Sequence, residues 1–396
     1  MPTVFAGKNI VIGVTGSIAA FKVAGWVSTL AKEEANVSVI LTESGSRFVT
    51  PLTFSALSGN KTYGSMFDDR DDPMVHITLG QNADIMLIAP ATANTIARLA
   101  NGIADDLLTT TALVTRAEIL ICPAMNSRMY SHQMTRENIA KLKAAGYQLI
   151  DPAHGMMACK DEGEGRLAEW EDVVEYMAKS LTPQDLSGKK VLVTAGPTRE
   201  HLDPARFLSN RSSGKMGYAM ASAAFRRGAE VTLVSGPSTL SSPAGVATVS
   251  VESAEDMYNA VIGRADSMDI IVKSAAVADY RPAETARHKV KKEQIEGQLL
   301  LSRNRDILFE LGRKKGEGQI LVGFAAESQH LHEAGKNKLL KKNLDLIAVN
   351  DISGNDTGFE SGTNQVLLIS AKKTKRLPHT SKEHTADLIW DEIVLQ

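Results

Sequence analysis

The sequence predicts a doubly wound α/β protein of two domains, and three observations predict it. Short apolar runs alternate with longer stretches of helical period, the pattern of a parallel sheet covered by helices. The same grammar starts twice: KKVLVTAGPTRE from Lys189 mirrors KNIVIGVTGSIA from Lys8, each with a basic start, a buried strand and a glycine turn. The likeness is of βαβ type and too thin to be a repeat. Finally, 396 residues exceed what one hydrophobic core organises.

Asn9 to Thr15 reads as the first buried strand and leads through Gly16 and Ser17 into a helix from about Ala19 to Glu33. Val37 to Leu41, Ile85 to Ala89 and Glu118 to Cys122 read as further strands. Helices are expected after Pro51, around Thr95 to Leu99 and from Thr135 to Ala145, and MVHITLG places His76 just before a strand. Gly155 to Gly165 is glycine-rich, charged and without period, which predicts a mobile loop. Glu169 to Leu181 closes the first half as a helix, broken by the turn formers of Thr182-Pro-Gln-Asp-Leu-Ser-Gly188. The boundary is expected there, between domains of residues 1–185 and 186–396. In the second half Glu230 to Ser235, Asp269 to Ala276, Ile320 to Ala325 and Leu344 to Asn350 continue the strands.

Composition excludes several function classes. Lys plus Arg number 44 against 46 Asp plus Glu, a formal charge of −2, so the chain is not built as a general nucleic-acid binder. Its 2 cysteines sit in no CxxC or paired Cys/His spacing, which argues against a disulfide framework or structural zinc and points to a reducing compartment. Lys8 precedes a strand where a signal peptide would be apolar, and no stretch approaches the roughly 18 apolar residues of a membrane span. A cytoplasmic protein without membrane or nucleic-acid partners is expected.

The turn between a first strand and its helix offers anions unpaired N–H groups and a positive dipole end. Gly13-Val-Thr-Gly16-Ser17-Ile18-Ala19 is such a turn but is not G-x-G-x-x-G, which weighs against an NAD(P)-dependent oxidoreductase. Alone, it is better explained as a tight turn with Ser17 as N-cap. Pro90-Ala-Thr-Ala-Asn-Thr95 follows a buried strand at its carboxyl end, where open α/β sheets bind ligands, and Cys122-Pro-Ala-Met-Asn126 ends another. Each could be a capping turn, but three small-residue turns at strand ends of one sheet point to a shared pocket.

These segments carry a resemblance. GSIAAFK (Gly16 to Lys22), PATANTIARLANGIADDLL (Pro90 to Leu108) and PAMN (Pro123 to Asn126) resemble the flavin-dependent cysteine decarboxylases. Gly155-Met-Met-Ala-Cys159, running into Gly163-Glu-Gly165-Arg, resembles that family's substrate-clamp loop. The second half is similar to phosphopantothenate–cysteine ligases, so from about Lys8 to the last helix the chain resembles the bifunctional bacterial enzymes of coenzyme A biosynthesis. The resemblance implies two Rossmann-like three-layer domains, a flavin-dependent cysteine decarboxylase (flavodoxin-like) fold followed by a ligase domain. It implies FMN held by Gly16, Ser17, Ile18, Thr42, Thr92, Ala93, Asn94, Thr95 and Ala124.

Decarboxylating a cysteinyl carboxylate leaves a carbanion without an electron sink. Oxidation of the thiol to a thioaldehyde by flavin supplies one, and the ene-thiol that follows must be protonated and reduced again. The resemblance assigns His76 to the thiol, Asn126 to the carboxylate and Cys159 to proton donation. Against these stand the ordinary fates of a satisfied surface histidine and an inert thiol. Lys160 stands where the family usually carries glycine.

In the second half, Arg206-Phe-Leu-Ser-Asn210-Arg-Ser-Ser-Gly214-Lys-Met-Gly217 crowds amides, hydroxyls and cations before a helix. Helix capping explains Ser212 or Ser213 but not the whole run. Lys289-Val-Lys291-Lys292, and lysines 338, 341 and 342, are basic clusters that read as solvated faces or as a polyphosphate site. The resemblance implies that 4′-phosphopantothenate is activated by CTP with Mg²⁺ to an acyl-cytidylate, which cysteine's amine then opens. It places Asn210 at the intermediate and Lys289 on phosphates. Asp279, Arg305, Asp306, Ile307, Leu308, Phe324, Lys338 and Lys342 fall at its nucleotide site, with Arg305 where proline is commoner. It also implies a homo-oligomer, with trimeric decarboxylase and dimeric ligase contacts building up to a dodecamer. A catalytically silent flavin-binding regulator is the remaining alternative, and retention of His76, Asn126 and Cys159 argues against it.

Overall fold

The computed structural model describes residues 4–67, 72–156, 161–291, 298–352 and 361–396. The chain divides into two compact units, Met1–Thr182 and Pro183–Gln396.

In the first unit β1 (Asn9–Val14), β2 (Asn36–Leu41), β4 (Ile85–Ala91) and β5 (Glu118–Pro123) are almost wholly buried, as expected of strands covered on both faces. The short strands β3 (Thr62–Tyr63) and β6 (Gln148–Leu149) complete a parallel sheet of order β3-β2-β1-β4-β5-β6, the Rossmann order. Helix α1 (Ala20–Lys32) turns Ala20, Val23, Trp26, Val27 and Leu30 onto one sheet face, the spacing of an amphipathic helix. Around the sheet lie α2 (Pro51–Ser58), α3 (Val75–Asn82), α4 (Ala93–Ala100), α5 (Leu107–Val114), α6 (Gln133–Ala144) and α7 (Trp170–Leu181).

Three local expectations are corrected here. His76 does not precede a strand but lies on α3. Val75 and Leu79, four residues apart, share its buried face, and a Cβ on Gly80 would stand 3.1 Å from the Thr111 carbonyl, so α3 packs closely on α5. Gly155 to Gly165 is not a periodless loop throughout. Strands β7 (Ala153–Met156) and β8 (Glu162–Arg166) pair as an antiparallel ribbon, while 157–160, with Cys159 and Lys160, lie outside the described residues. Ser17 is not the N-cap of α1: the helix begins after Ala19, and the Ser17 hydroxyl only accepts the Ala19 N–H at 3.4 Å.

The second unit repeats the architecture with β9 (Lys190–Ala195), β12 (Glu230–Ser235), β13 (Ala247–Ser250), β14 (Ile270–Lys273), β17 (Ile320–Glu327) and β18 (Leu346–Asp351). These pair in parallel in the order β13-β12-β9-β14-β17-β18, again the Rossmann order. The edge is extended antiparallel by β19 (Val366–Ser370) and β20 (Thr374–Arg376). Helices α8 (Lys215–Arg226), α9 (Ala254–Ala265), α10 (Ile307–Lys314), α11 (Leu331–Lys341) and α12 (Lys382–Val394) cover it. Two ribbons, β10 (Arg199–Asp203) with β11 (Arg206–Ser209) and β15 (Tyr280–Pro282) with β16 (Leu301–Arg303), stand outside the sheet. Neither Ser212 nor Ser213 caps α8; Gly214, at φ 82°, makes that turn.

Candidate active sites

In the first unit the strand order reverses between β1 and β4, and the expected cofactor residues lie at the carboxyl ends there. Buried Thr15 ties the two strand ends together. Its hydroxyl donates to the Pro90 carbonyl at 2.6 Å and accepts the Thr92 N–H at 3.2 Å. Thr92 caps α4 by accepting the Thr95 N–H at 3.3 Å, and Thr42 accepts the Gly45 N–H at 3.2 Å. With Gly16, Ala93, Asn94 and Thr95 these threonines line a cavity of about 820 Å³. Gly16 is needed by contact, since a Cβ there would stand 2.5 Å from the Ser44 Cβ.

Ser17 and Ile18, on the far side of the same turn, line a second cavity of about 370 Å³ with Ala124, Met125 and Asn126. The Asn126 side-chain amide oxygen accepts the Arg128 N–H at 2.9 Å, which turns its amide nitrogen to Asp161 at 3.0 Å. Ribbon β7–β8 holds this turn: the Met125 N–H donates to the Gly165 carbonyl at 2.9 Å, and no side chain fits between them. His76 lines neither cavity. Its Nδ1 is buried without a hydrogen-bond partner among the described residues, an orphaned polar atom of the kind that calls for a ligand or a neighbour. Cys122 is fully buried, and burial pushes its thiol well above the usual range, so it is inert at neutral pH.

In the second unit the order reverses between β9 and β14. Thr194 and Thr198 act there as Thr15 does, accepting the N–H groups of Ala275 at 3.1 Å and Ala278 at 3.0 Å. Asn210 reaches the same point from the loop before α8 and donates to the Ala276 carbonyl at 3.1 Å. From the other side Asn304 donates its amide to the Ala278 carbonyl at 2.8 Å and its N–H to the Asp279 carbonyl at 2.9 Å. It thereby fastens Asp279 next to Arg305 and Asp306. Asp306 caps α10 through the Phe309 N–H at 3.0 Å and pairs with Lys342 at 3.1 Å, while Lys338 pairs with Glu327 at 2.7 Å. Phe324 is half-buried on β17, beside Lys338's partner strand end. Ile307 and Leu308 are buried in the core, so they offer a ligand backbone N–H groups and not side chains.

Two candidates stand apart. Arg305 turns toward α9, its guanidinium 4.7 Å from the Tyr258 ring centre and 3.6 Å from Glu255. Lys289 is exposed on a segment anchored to β10–β11, where Val290 donates to Asp203 at 3.2 Å and accepts from Arg206 at 3.1 Å. The Arg206 hydrogen bond, then the Ala205 N–H, hold the Asp203 carboxyl well below the usual carboxylate range, so this anchor stays ionised at any neutral pH.

A family model described as Flavoprotein matches residues 3–182, and one described as DNA/pantothenate metabolism flavoprotein C-terminal domain matches residues 186–395. The coenzyme A biosynthesis bifunctional protein CoaBC of Bacillus subtilis (strain 168) is 47% identical over 392 residues, 98% of this chain and 96% of that protein. That of Escherichia coli (strain K12) is 43% identical over 394 residues, 98% of this chain and 97% of that protein. The chain belongs to this bifunctional family. It is an enzyme of coenzyme A biosynthesis with decarboxylase and ligase activities, and a flavoprotein. Among solved structures, the C-terminal domain of a CoaBC protein is 43% identical, covering 54% of this chain and 97% of that one, with a TM-score of 0.47. The FMN-dependent cysteine decarboxylase SpaF is 26% identical, covering 43% of this chain and 95% of that one, with a TM-score of 0.39. Membership of the family does not favour the oxidoreductase and silent-regulator alternatives.

Three features of the sites were not singled out from the sequence. Arg98 bridges Asp105 at 2.9 Å and Asp106 at 2.8 Å on the wall of the larger cavity; the signal was a cation and two carboxylates inside an otherwise uncharged motif. Asn304, the fastener of Asp279, gave no signal beyond its polarity. Lys273 is a lysine ending the buried strand IIVK, a cation where an apolar residue was due.

Proposed function

We propose that residues 1–185 form an FMN-dependent decarboxylase of 4′-phosphopantothenoylcysteine and residues 186–396 a CTP-dependent ligase that makes that substrate from 4′-phosphopantothenate and cysteine. The observation that supports the reading is partial convergence: Gly16, Thr92, Ala93, Asn94 and Thr95 in the first unit, and Asn210 in the second, lie at the sheet's switch point, where such folds bind ligands.

The larger N-terminal cavity fits a flavin mononucleotide in size and in chemistry. Thr92 to Thr95 at the start of α4 would take the anionic end and Gly16 would let a flat ring lie against the backbone. Bound there, FMN would supply the oxidation that gives the substrate carbanion its electron sink. Asn126, whose amide nitrogen donates to Asp161 in this structure, would exchange that carboxylate for the substrate's without adding a competing charge. The unpartnered ring nitrogen of His76 would orient or deprotonate the thiol. Cys159 would donate the proton that the ene-thiol needs. Exposed Ile18, Phe21 and Met156 around the smaller cavity support burial of this face in a trimer of copies.

In the ligase unit the carboxylate oxygen of 4′-phosphopantothenate would attack the α-phosphorus of CTP, expelling pyrophosphate. Cysteine's amine would then attack the acyl carbon, expelling CMP. Both steps are chiefly positioning and charge stabilisation, so amides, lysines and a Mg²⁺ ion brought by the nucleotide suffice. Asn210 would hold the acyl-cytidylate. Lys338 and Lys342, each held in this structure by a carboxylate, would exchange Glu327 and Asp306 for the nucleotide. The dimeric contacts expected of the ligase complete the proposed assembly.

The flavin site has a direct test. The purified protein is expected to be yellow, and Gly16→Val, whose side chain fills the space beside Ser44, to be folded and colourless. A Gly16→Val protein that keeps its full flavin absorbance would remove the larger cavity from the reading.

A further inference from the structure

The smaller N-terminal cavity carries two cations to which the chemistry above gives no part. Its described lining is mostly apolar, with Ile18, Phe21, Met125 and Met156 in the walls. Two charged side chains stand among those lining residues, Lys22 and Arg166, and both are positive. Each is placed by a fixed element. Arg166 follows Gly165, whose carbonyl takes the Met125 N–H at 2.9 Å, so it is tied to the turn that carries Asn126. Lys22 lies one turn before Trp26 on α1, and the Trp26 ring centre is 5.5 Å from that of Trp170, the first residue of α7. That contact brings Glu169, which precedes Trp170, to both cations: 2.9 Å from Arg166 and 3.5 Å from Lys22.

Stability does not account for this cluster. Ion pairs partly open to solvent add little, and the two tryptophans already join α1 to α7. Glu169 stands at the N-cap of α7, yet its side chain caps nothing there and turns to the cations instead. One carboxylate also undersupplies them. Arg166 offers five donors and Lys22 three, against two oxygens of Glu169. The three groups together leave one positive charge at the wall of an apolar cavity of about 370 Å³, a volume within the range of small-molecule sites. An anion on an apolar stem fits such a wall.

We propose that Lys22 and Arg166 form the subsite for the 4′-phosphate of the decarboxylase substrate, and that they make the enzyme selective for the phosphorylated thiol over its unphosphorylated counterpart. The proposal rests on the reading of this cavity as the one where Asn126 meets the substrate carboxylate. That substrate is an anion at both ends, and the two ends need different partners. The carboxylate must leave as neutral carbon dioxide, so a cation holding it would stabilise the ground state and oppose the reaction. The neutral amide of Asn126 suits that end. The phosphate is carried through unchanged and is close to doubly negative near neutrality. Cations there anchor the substrate without touching the reacting carbon. The phosphate oxygens take the donors that Glu169 leaves over, and the apolar walls receive the branched hydrocarbon stem between the two ends.

The test uses the full-length protein with two substrates for carbon dioxide release, 4′-phosphopantothenoylcysteine and pantothenoylcysteine, the same thiol without its phosphate. The unaltered protein is expected to favour the phosphorylated substrate in kcat/KM by at least about 100-fold, as two charge-assisted contacts imply. Lys22→Gln and Arg166→Gln are each expected to cut that preference about 10- to 100-fold, chiefly by raising the KM of the phosphorylated substrate. The inhibition constants of 4′-phosphopantetheine and pantetheine should converge in the same variants. The comparison in the unaltered protein needs no variant and stands if either substitution prevents folding. Equal kcat/KM for the two substrates there overturns the proposal. Variants that keep the full preference also overturn it, as do variants that lose equally with both substrates, because the cations would then only shape the cavity. Asn126→Ala is the control for the cavity. If it slows carbon dioxide release from both substrates while the phosphate preference is missing, the cavity reading stands and the proposal alone falls. If it releases carbon dioxide from both at the full rate, the cavity reading falls and takes the proposal with it.

Discussion

Lys289→Gln is expected to slow CMP formation by two to three orders of magnitude, the usual loss when one charge-stabilising donor is removed from a transition state. Decarboxylation of supplied 4′-phosphopantothenoylcysteine should continue at the full rate. The expectation comes from where the lysine stands. Its side chain is exposed and its neighbour Val290 is bonded on both sides, to Asp203 and to Arg206. A flexible cation on a fixed anchor can reach a phosphate without any change in the sheet, so its loss should cost charge and not structure. Both rates together, measured as CMP release and carbon dioxide release, check this. Two unchanged rates would return Lys289 to the solvated surface, and two lost rates would mean that the units are coupled.

Cys159→Ser should show an effect as large in the other unit, and of a different kind. A thiol with an ordinary value of about 8.5 can donate a proton near neutrality, whereas a serine hydroxyl is far too weak an acid. General acid catalysis is worth about 10²- to 10⁴-fold. The variant is therefore expected to release carbon dioxide in a single turnover but to stall before the final protonation. It should accumulate an ene-thiol lighter by two hydrogens than 4′-phosphopantetheine. Changes at Asn126 should instead slow carbon dioxide release, because they loosen the grip on the carboxylate. The mass of the product separates the two cases, and normal product at the normal rate from Cys159→Ser would remove the cysteine from proton donation.

Much of the architecture was legible because buried parallel strands leave uninterrupted apolar runs such as IMLIA and IVIGV, and covering helices leave a 3.6-residue period such as that of α1. The positions of Gly16, Thr92 and Asn126 followed from their places at strand ends. The errors lie where local pattern and tertiary packing disagree. VHITLG alternates and is rich in β-branched residues, yet its small Gly80 lets it lie as a helix against α5. Residues Gly155 to Gly165 lack period because their strands form a two-stranded ribbon with no core of its own, so glycine and charge dominate them. Ser17, Ser212 and Ser213 looked like caps, but the helices begin later, after Ala19 and Gly214. Asn304 was invisible because its meaning lies in what other elements bring near it, and Lys273 showed only as a cation ending an apolar run. No one-dimensional pattern marks a lysine as buried beside the start of a helix more than thirty residues away.

The most direct test of the central claim, that this one chain carries both reactions in succession, is a product balance. The protein is supplied with 4′-phosphopantothenate, cysteine, CTP and Mg²⁺, and CMP, pyrophosphate, carbon dioxide and the final thiol are measured together. Equal amounts of CMP, pyrophosphate, carbon dioxide and 4′-phosphopantetheine are predicted, with 4′-phosphopantothenoylcysteine appearing early and then consumed. CMP without carbon dioxide, or carbon dioxide released in the absence of CTP and of any supplied intermediate, would contradict it.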